Sequence, residues 1–424
     1  MQPYRATVLE NGLRVIMIPK KDDLATTFLV LVEAGSKYET KELSGVSHFL
    51  EHMCFKGTEK RPTALAIAAE LDGLGADYNA FTTQEYTGYF AKVEAHKIDA
   101  AFDIVSDLYL NPVFSAAEIE REKGVVVEEL NMYEDLPMKK VNDHFMELLY
   151  GDQPAGWDVG GTKAVVRSLT KEAIAAYHGK HYLPQATVVV VAGAFDEEAM
   201  MGKIRSSFGA MPKGEKQGKL AVTESQDAPR VMLANKKVDQ THLVLGCRAF
   251  RANDPRRFAL DVLSDVLGGG MSSRLFQKVR EELGAAYYVR SSTDLFTDHG
   301  FLAVNAGVDQ TKIFSVIGAI LEEMKRLKDE PVSAEELLRA KNHLVGRIIL
   351  GLEASDELAS FYGAQEIDGA GLLTPQELVR KIEAVTSAEI MAVAREIFAD
   401  DRLNMAVIGP LASDAELKAA LHFA

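Results

Sequence analysis

The sequence is poor in cysteine and in long hydrophobic runs. Only Cys54 and Cys247 occur among 424 residues, too few for a disulfide framework, so a reducing compartment is the simpler expectation. No run of apolar residues approaches the roughly 18 that span a membrane, and the amino terminus has no apolar core of signal-peptide length. We therefore expect a cytoplasmic protein without a membrane partner, with a signal segment removed earlier as the alternative.

Positively charged side chains are fewer than negatively charged ones, with 47 Lys and Arg against 62 Asp and Glu. The formal net charge is −15, whereas a nucleic-acid surface needs clustered Lys and Arg to displace counterions. We expect no nucleic-acid partner, and an acidic protein favours basic partners or peptides. The composition, with 47% hydrophobic and 26% charged residues, is that of a globular protein long enough for two or more domains.

One pattern occurs in both halves of the chain. Residues 169–193 and 385–409 each predict a Thr-capped helix, a short loop and an apolar strand that ends in Gly. Strands that begin at Thr27 and Thr241 are also alike, and each precedes a helix. We predict an α+β fold of two duplicated domains, with mixed, mainly antiparallel sheets packed against helices. The alternative is two unrelated α/β domains.

A polar stretch divides the chain nearly in half. Residues 212–229 contain Lys, Gly and Pro and interrupt the regular patterning, so they are the best candidate for a linker. The predicted domains are therefore residues 1–211 and 230–424. The first domain contains the candidate metal-binding residues described next, so it is the candidate catalytic half.

The candidate metal site begins with the sequence HFLEH at positions 48–52. A short helix capped by Ser44 and ended by Gly57 would place His48, Glu51 and His52 on one face. Two imidazoles one turn apart can chelate one Zn²⁺ per chain, and a neighbouring carboxylate can take a proton from zinc-bound water. The alternative is an amphipathic helix whose histidines are buried and hydrogen-bonded. Burying two imidazoles and a carboxylate on one face would cost free energy. Cys54 could also be suspected as a ligand, although buried free cysteine is usually inert.

A second helix, predicted from Ser115 to about Leu136, offers the third ligand that a catalytic zinc needs. Glu122 and Glu129 fall in the centre of its apolar face, and Glu128 points away. Carboxylates there are disfavoured unless a cation meets them. We therefore assign Glu129 as the ligand and Glu122 as the residue that orients a ligand histidine. Helix geometry alone would allow the two roles to be exchanged, and a salt bridge is the alternative for each.

These residues carry a family resemblance. His-x-x-Glu-His is the inverzincin motif, and together with EREKGVVVEELNMYED downstream it resembles the pitrilysin/insulinase family of zinc peptidases. The similarity is greatest to the short two-domain branch that includes the mitochondrial processing peptidase and bacterial processing proteases. The family's spacing implies Glu129 as third ligand and matches Glu122 seven residues earlier.

The resemblance extends into the second half, where LGGGMSSRLFQKVREELGAAYYV is similar to the family's Gly-rich segment and its Arg/Tyr pair. It implies that Arg280 and Tyr287 hold the substrate and stabilise the oxyanion. The neighbour Tyr288 departs from the small residue often found there. The glycines at 268–270 lack a phosphate-binding spacing, so a loop near the substrate is the favoured interpretation.

Two further features follow from the comparison of halves and family. The first half's GADYNAFTTQEYTGYF resembles the family's active-site strand, which implies a substrate-binding edge at Asn79, Ala80, Phe81 and Thr82; an ordinary hairpin strand is the alternative. Aligning the halves on their first strands places Val262, Asp265 and Val266 at the positions of His48, Glu51 and His52. The second half is therefore expected to carry no zinc.

The resemblance implies an assembly and an activity. It implies a zinc metalloendopeptidase that forms a clamshell homodimer around a chamber, so that substrates are peptides or unfolded segments. Arg280 and Tyr287 would then act at the zinc of the partner subunit. The alternatives are a non-catalytic peptide-binding subunit, or a processing subunit that cleaves only with a related partner chain.

Overall fold

A computed structural model describes residues 3–423. The chain forms two compact units, each with its own mixed sheet. The first unit comprises Met1–Asn131, Trp157–Leu220 and Gly351–Thr374, and the second comprises Met132–Gly156, Ala221–Leu350 and Pro375–Ala424. Because the chain passes from one unit to the other five times, neither unit is a continuous half of the sequence.

Eleven strands form the two sheets of the described residues. In the first unit they are β1 (Arg5–Val8), β2 (Arg14–Pro19), β3 (Ala25–Val32), β4 (Asp77–Thr82), β5 (Thr87–Glu94) and β6 (Thr187–Gly193). In the second unit they are β7 (Arg230–Asn235), β8 (Thr241–Arg248), β9 (Ala286–Leu295), β10 (Gly300–Val308) and β11 (Leu403–Gly409).

The first eight helices, in chain order, are α1 (Val46–Cys54), α2 (Ala64–Leu74), α3 (Ile98–Leu110), α4 (Ala116–Glu134), α5 (Pro137–Tyr150), α6 (Lys163–Ser168), α7 (Lys171–His181) and α8 (Glu197–Phe208). The remaining seven are α9 (Arg257–Gly268), α10 (Ile313–Asp329), α11 (Ala334–Gly351), α12 (Ser355–Asp368), α13 (Pro375–Ala384), α14 (Ser387–Ile397) and α15 (Ala415–Ala420). A π-helical segment, Phe276–Glu282, precedes β9. No helix within residues 3–423 is long and apolar enough to cross a bilayer.

The two sheets repeat one topology. The strand order is β1-β2-β6-β3-β5-β4 in the first and β7-β11-β8-β10-β9 in the second, so the second repeats the first without β1. The pairs β2–β6 and β7–β11 are parallel, and the other matching pairs are antiparallel. Thr170 and Thr386 cap the corresponding helices α7 and α14. The predicted α+β class and the duplicated mixed sheets are confirmed.

The central strands are apolar because both of their faces are buried. In the first sheet Val30 of β3 lies opposite Val189 of β6 and Tyr89 of β5, and every residue of β6 is buried. On one face of this sheet, residues of α1, α3, α4, α7 and α8 complete the larger core of the unit. The other face carries Ile16, Leu29, Val188 and similar residues.

In each unit, the sheet face opposite the larger core is covered by a helix from the other half of the sequence. Residues Leu358, Ala359 and Tyr362 of α12 cover the first sheet, and Val141, Phe145 and Leu149 of α5 cover the second. The predicted domains 1–211 and 230–424 differ from the units in these exchanged segments. Helical periodicity marks α5 as amphipathic, whereas the sequence of α12 has almost no apolar stripe, and neither pattern specifies which sheet the helix covers. The crossing at Leu220–Ala221 lies within the predicted linker.

The exchange predicts that the first unit cannot fold from the first half alone. A fragment of residues 1–220 leaves the face around Leu29 and Val188 exposed, so we expect it to aggregate or to bind the dye ANS strongly. Joining residues 351–374 to its end by a flexible linker should restore near-UV circular dichroism and a cooperative unfolding transition.

The same fusion with Tyr362→Asp is the matched control, because Tyr362 is fully buried against the sheet, and it should behave like the bare fragment. A cooperatively folded 1–220 fragment that does not bind ANS would contradict the assignment of α12.

Candidate metal centre

The first wall of the site is α1, which packs against β4, β5 and α7. Phe49, Leu50 and Met53 are fully buried in the core of the first unit. With these residues inward, His48, Glu51 and His52 lie on the opposite face, as 3.6 residues per turn requires. The His48 and His52 rings lie 4.7 Å apart between centroids.

The ends of α1 differ from the prediction. Its N-cap is Gly45, with φ 92° and no side-chain cap, and its C-cap is Phe55. Ser44 instead ends the preceding 3-10 turn, and Gly57 lies beyond the helix with φ 141°. The predicted Ser44 cap and Gly57 end were therefore wrong, because local propensity does not include the packing that fixes a helix end.

The second wall is α4. Ile119, Val126 and Leu130 are buried in the core, which confirms the apolar face predicted for this helix. Glu122 is only 2% exposed, whereas Glu128 is exposed. Glu122 and Glu129 therefore both face α1, and the structure shows that they contact different nitrogen atoms of His52.

Glu129 lies beside both imidazoles. Its Oε2 atom is 3.6 Å from Nε2 of His48 and 3.4 Å from Nε2 of His52. One ligand atom from each of the three residues lies within 4.8 Å of the others, and within residues 3–423 this is the only such group of three or more His, Cys, Asp or Glu residues.

The donor set suits zinc. Two donors bound to one tetrahedral zinc lie about 3.3–3.5 Å apart, because Zn–N and Zn–O bonds are about 2.0–2.2 Å long. The two distances from Glu129 are close to that separation. Two imidazoles and one carboxylate are also the three-ligand set of many catalytic zinc sites.

Glu122 contacts the other nitrogen of His52. Its Oε1 atom lies 2.8 Å from Nδ1 of His52, and its Oε2 atom accepts a hydrogen bond from Nζ of Lys56 at 2.6 Å. Burial raises the pKa of Glu122, but these two hydrogen bonds outweigh burial and hold the pKa below its usual value. An ionised Glu122 that accepts from Nδ1 directs Nε2 of His52 towards Glu129.

The carboxylates hold a proton on His52 when no metal competes. Burial lowers the pKa of His52, but the hydrogen bonds with Glu122 and Glu129 outweigh it and raise the pKa to about 9. A cation between Glu129 and the two Nε2 atoms would take the place of that proton. The excess of carboxylates therefore fits a divalent metal.

Glu51 lies next to this group and contacts the edge of the sheet. Its Oε2 atom accepts a hydrogen bond from Oγ1 of Thr82, at 2.5 Å. Burial raises the pKa of the Glu51 carboxyl above its usual value, against the effect of this hydrogen bond. Thr82 belongs to β4, which is the edge strand of the first sheet. The residues predicted as a substrate-binding edge, 79–82, therefore lie on an edge strand that adjoins Glu51, and their role in binding stays a prediction. No sequence pattern predicts the Thr82–Glu51 contact.

Cys54 does not belong to the donor set. It is fully buried, and its Sγ atom donates a hydrogen bond to the phenol oxygen of Tyr89 at 3.5 Å. Burial raises the pKa of the Cys54 thiol to about 12. A protonated thiol in the core is a poor metal ligand.

The corresponding helix of the second unit, α9, contains no imidazole. Val262 and Val266 are buried in the core of that unit. Asp265 lies 2.7 Å from Nδ1 of His343 on α11. The described part of the chain has no second cluster of three ligating groups.

The predicted Arg/Tyr pair lies in the second unit. Arg280 is on the π-helical segment, with Cζ 4.9 Å from the ring centroid of Phe276. Tyr287 is 75% exposed, whereas the hydroxyl of Tyr288 lies 3.0 Å from Nδ1 of His242. Of the two tyrosines, Tyr287 is the one available to a ligand, but its role and that of Arg280 stay predictions.

Comparison with known protein families gives two adjoining matches. Residues 14–163 match the model described as insulinase (peptidase family M16), and residues 168–344 match the model described as the peptidase M16 inactive domain. The first match contains both walls of the candidate site. The second contains α9, where valines occupy the positions of the histidines.

Individual proteins are similar over nearly the whole chain. An uncharacterized zinc protease of Streptomyces coelicolor is 35% identical over 96% of this chain and 90% of its own length. One from Bacillus subtilis is 33% identical over 95% and 97%. The crystal structure of a protease from Helicobacter pylori matches with a TM-score of 0.90 at 22% identity, over 96% and 99% of the two chains.

The pKa of His52 predicts how zinc binding depends on pH. Because the pKa is raised to about 9 in the metal-free site, His52 is protonated at pH 7 and zinc must displace that proton. Zinc affinity should therefore rise with pH up to about 9, by as much as about tenfold per pH unit. Titration calorimetry at pH 7 in two buffers of different ionisation enthalpy should detect a released proton.

Glu122→Gln is the informative variant, because it removes the charge that holds this proton. We expect less proton release, and zinc affinity about 10–100-fold weaker through the loss of the orienting partner. Wild-type zinc binding without proton release at pH 7 would contradict this account of His52.

Proposed function

The chain belongs to the insulinase (M16) family of peptidases, and on that premise we propose that it is a zinc metalloendopeptidase whose general base is Glu51. The observation that carries the proposal is the approach of Glu129 Oε2 to both Nε2 atoms, at 3.6 Å and 3.4 Å. His48, His52 and Glu129 would hold one Zn²⁺ per chain. When bound, Zn²⁺ supplies Lewis-acid chemistry, which polarises a carbonyl and makes water more acidic.

Glu51 moves the proton. Thr82 donates to its Oε2 atom, so we assign Oε1 as the atom that takes the proton from the attacking water. The water oxygen then bonds to the peptide carbonyl carbon, and Glu51 returns the proton to the amine as the C–N bond breaks. Burial, which raises the pKa of Glu51, strengthens the carboxylate as a base.

Two other contacts prepare the site for this reaction. Glu122 keeps Nδ1 of His52 as the donor and Nε2 as the ligand atom, a common role for a carboxylate behind a metal-binding imidazole. The β4 edge offers its backbone to an extended peptide along Asn79–Thr82, which pairs through main-chain hydrogen bonds. The Thr82–Glu51 contact supports this edge as the substrate strand, because it brings the general base to the end of β4.

We further propose that two copies form a homodimer around a chamber that admits peptides and unfolded segments. Arg280 and Tyr287 would act on the substrate bound at the partner's zinc, where their N–H and O–H donors can stabilise the oxyanion. The presence of the zinc residues and the Arg/Tyr pair on one chain supports self-sufficiency over a role as a non-catalytic or partner-dependent subunit. Two buried free thiols are compatible with a cytoplasmic location.

The isosteric change Glu51→Gln tests the general base. It removes the proton acceptor but none of the zinc ligands, so we expect about one zinc per chain by elemental analysis and a loss of peptide cleavage of about 10²- to 10⁴-fold. His52→Ala is the companion variant and should lose zinc as well as activity. A cleavage rate in Glu51→Gln equal to that of the wild type would contradict the role of Glu51 as general base.

Mixing two inactive variants tests the assembly. In a homodimer with shared sites, one Glu51→Gln subunit and one Arg280→Ala subunit leave one complete site. Random exchange makes about half of the dimers mixed, so the mixture should recover about a quarter of wild-type activity.

Light scattering should give twice the chain mass for each variant and for the wild type. A mixture that recovers no activity, although subunits exchange, would place the Arg/Tyr pair and the zinc in the same chain. A wild-type monomer with full activity would exclude the dimer.

A further inference from the structure

The helix that carries the zinc-binding histidines begins without a cap of its own. Its N-cap residue, Gly45, has no side chain to accept a hydrogen bond from the first turn, where four backbone amides lack helical partners. Only glycine suits this position, because φ is 92° and a Cβ atom would lie 2.5 Å from the carbonyl oxygen of Gly160. The cap must therefore come from elsewhere in the chain.

Glu39 supplies it. Its Oε2 atom accepts a hydrogen bond from the amide of Gly45 at 2.6 Å, and its Oε1 atom accepts one from the amide of Ser47 at 2.8 Å. The carboxylate thus spans the start of α1, and Ser47 is the residue immediately before His48. The Ser47 hydroxyl also lies 2.7 Å from the hydroxyl of Tyr177 on α7, which ties the same turn to a second helix.

This carboxylate is an expensive group to bury. Glu39 is only 4% exposed, and its neighbours are the two amides and the Ser47 hydroxyl, with Tyr177 behind them. Burial raises the pKa of Glu39 to about 7, and the hydrogen bonds from Ser47 and Gly45 oppose that rise. Within the described residues no cationic side chain pairs with it, so the amides and the positive end of the helix dipole are what stabilise its charge.

We propose that Glu39 is a positioning residue for the metal centre, which fixes the start of α1 and thereby the placement of His48, Glu51 and His52. The inference rests on the proposed peptidase function. Glu39 acts through Gly45 and Ser47 and touches neither metal nor substrate. A shift of α1 by a fraction of an ångström would move both imidazoles relative to Glu129, which lies on a different helix, and such misplacement is costly in catalysis.

The test compares two changes from a capping carboxylate to its amide. Glu39→Gln keeps the shape but replaces one acceptor oxygen by a donor that faces an amide. Asp196→Asn is the matched control, because Asp196 caps α8 by accepting from Ala199 at 2.8 Å and is remote in sequence from α1. Both proteins are measured as full chains.

Three measurements separate positioning from general destabilisation. In metal-free protein, hydrogen exchange of the Ser47 amide should be about tenfold faster in Glu39→Gln than in wild type. Zinc affinity should fall about tenfold or more, as for other residues that orient metal ligands. With zinc saturating, kcat should fall about tenfold with little change in KM, and Asp196→Asn should match wild type in all three.

Wild-type exchange at Ser47 together with wild-type zinc affinity in Glu39→Gln would overturn the proposal, as would an equal loss in Asp196→Asn. If Glu39→Gln does not fold, Glu39→Asp replaces it, since the shorter side chain keeps the charge but cannot span both amides. It should lose zinc affinity about threefold, and unchanged affinity would again overturn the proposal. An inactive wild type would refute the peptidase function, whereas the exchange and zinc data would still decide the role of Glu39.

Discussion

The candidate metal centre depends on the pairing of carboxylates on one buried helix face with imidazoles on another. Glu122 would be a costly residue to bury, but it accepts from Nδ1 of His52 and from Lys56. That hydrogen bond orients the ring, so the opposite nitrogen points at Glu129, and Glu129 in turn reaches His48. These contacts together bring one carboxylate oxygen and two imidazole nitrogens close to one another, an arrangement that a divalent cation would fit.

The same framework without the histidines produces a different interior. In the second unit α9 occupies the place of α1, but Val262 and Val266 pack into the core, and Asp265 pairs with His343. Strand order and strand directions are retained in both sheets, so the fold itself does not require the metal. The candidate metal ligands are therefore an addition to a frame that both units share.

Sequence patterns predicted the elements that depend on local periodicity. The apolar stripe of α4 with its two glutamates follows from the 3.6-residue repeat, and so does the shared face of His48, Glu51 and His52. The repeated strand and helix pattern was enough to predict the duplication. In each of these cases the signal lies within one segment of the chain, where neighbours in sequence are neighbours in space.

Sequence patterns did not predict the contacts between segments that are distant in the chain. The reach of Glu39 to the start of α1 and the contact of Thr82 with Glu51 each join segments that only the folded chain brings together, and so does the exchange of α5 and α12 between sheets. The sequence by itself determined the ligand types, their helical spacing and the duplicated α+β frame, because these are properties of local geometry. Only the tertiary structure decided that Glu129 faces both Nε2 atoms while Glu122 holds Nδ1, because that choice depends on how two helices pack.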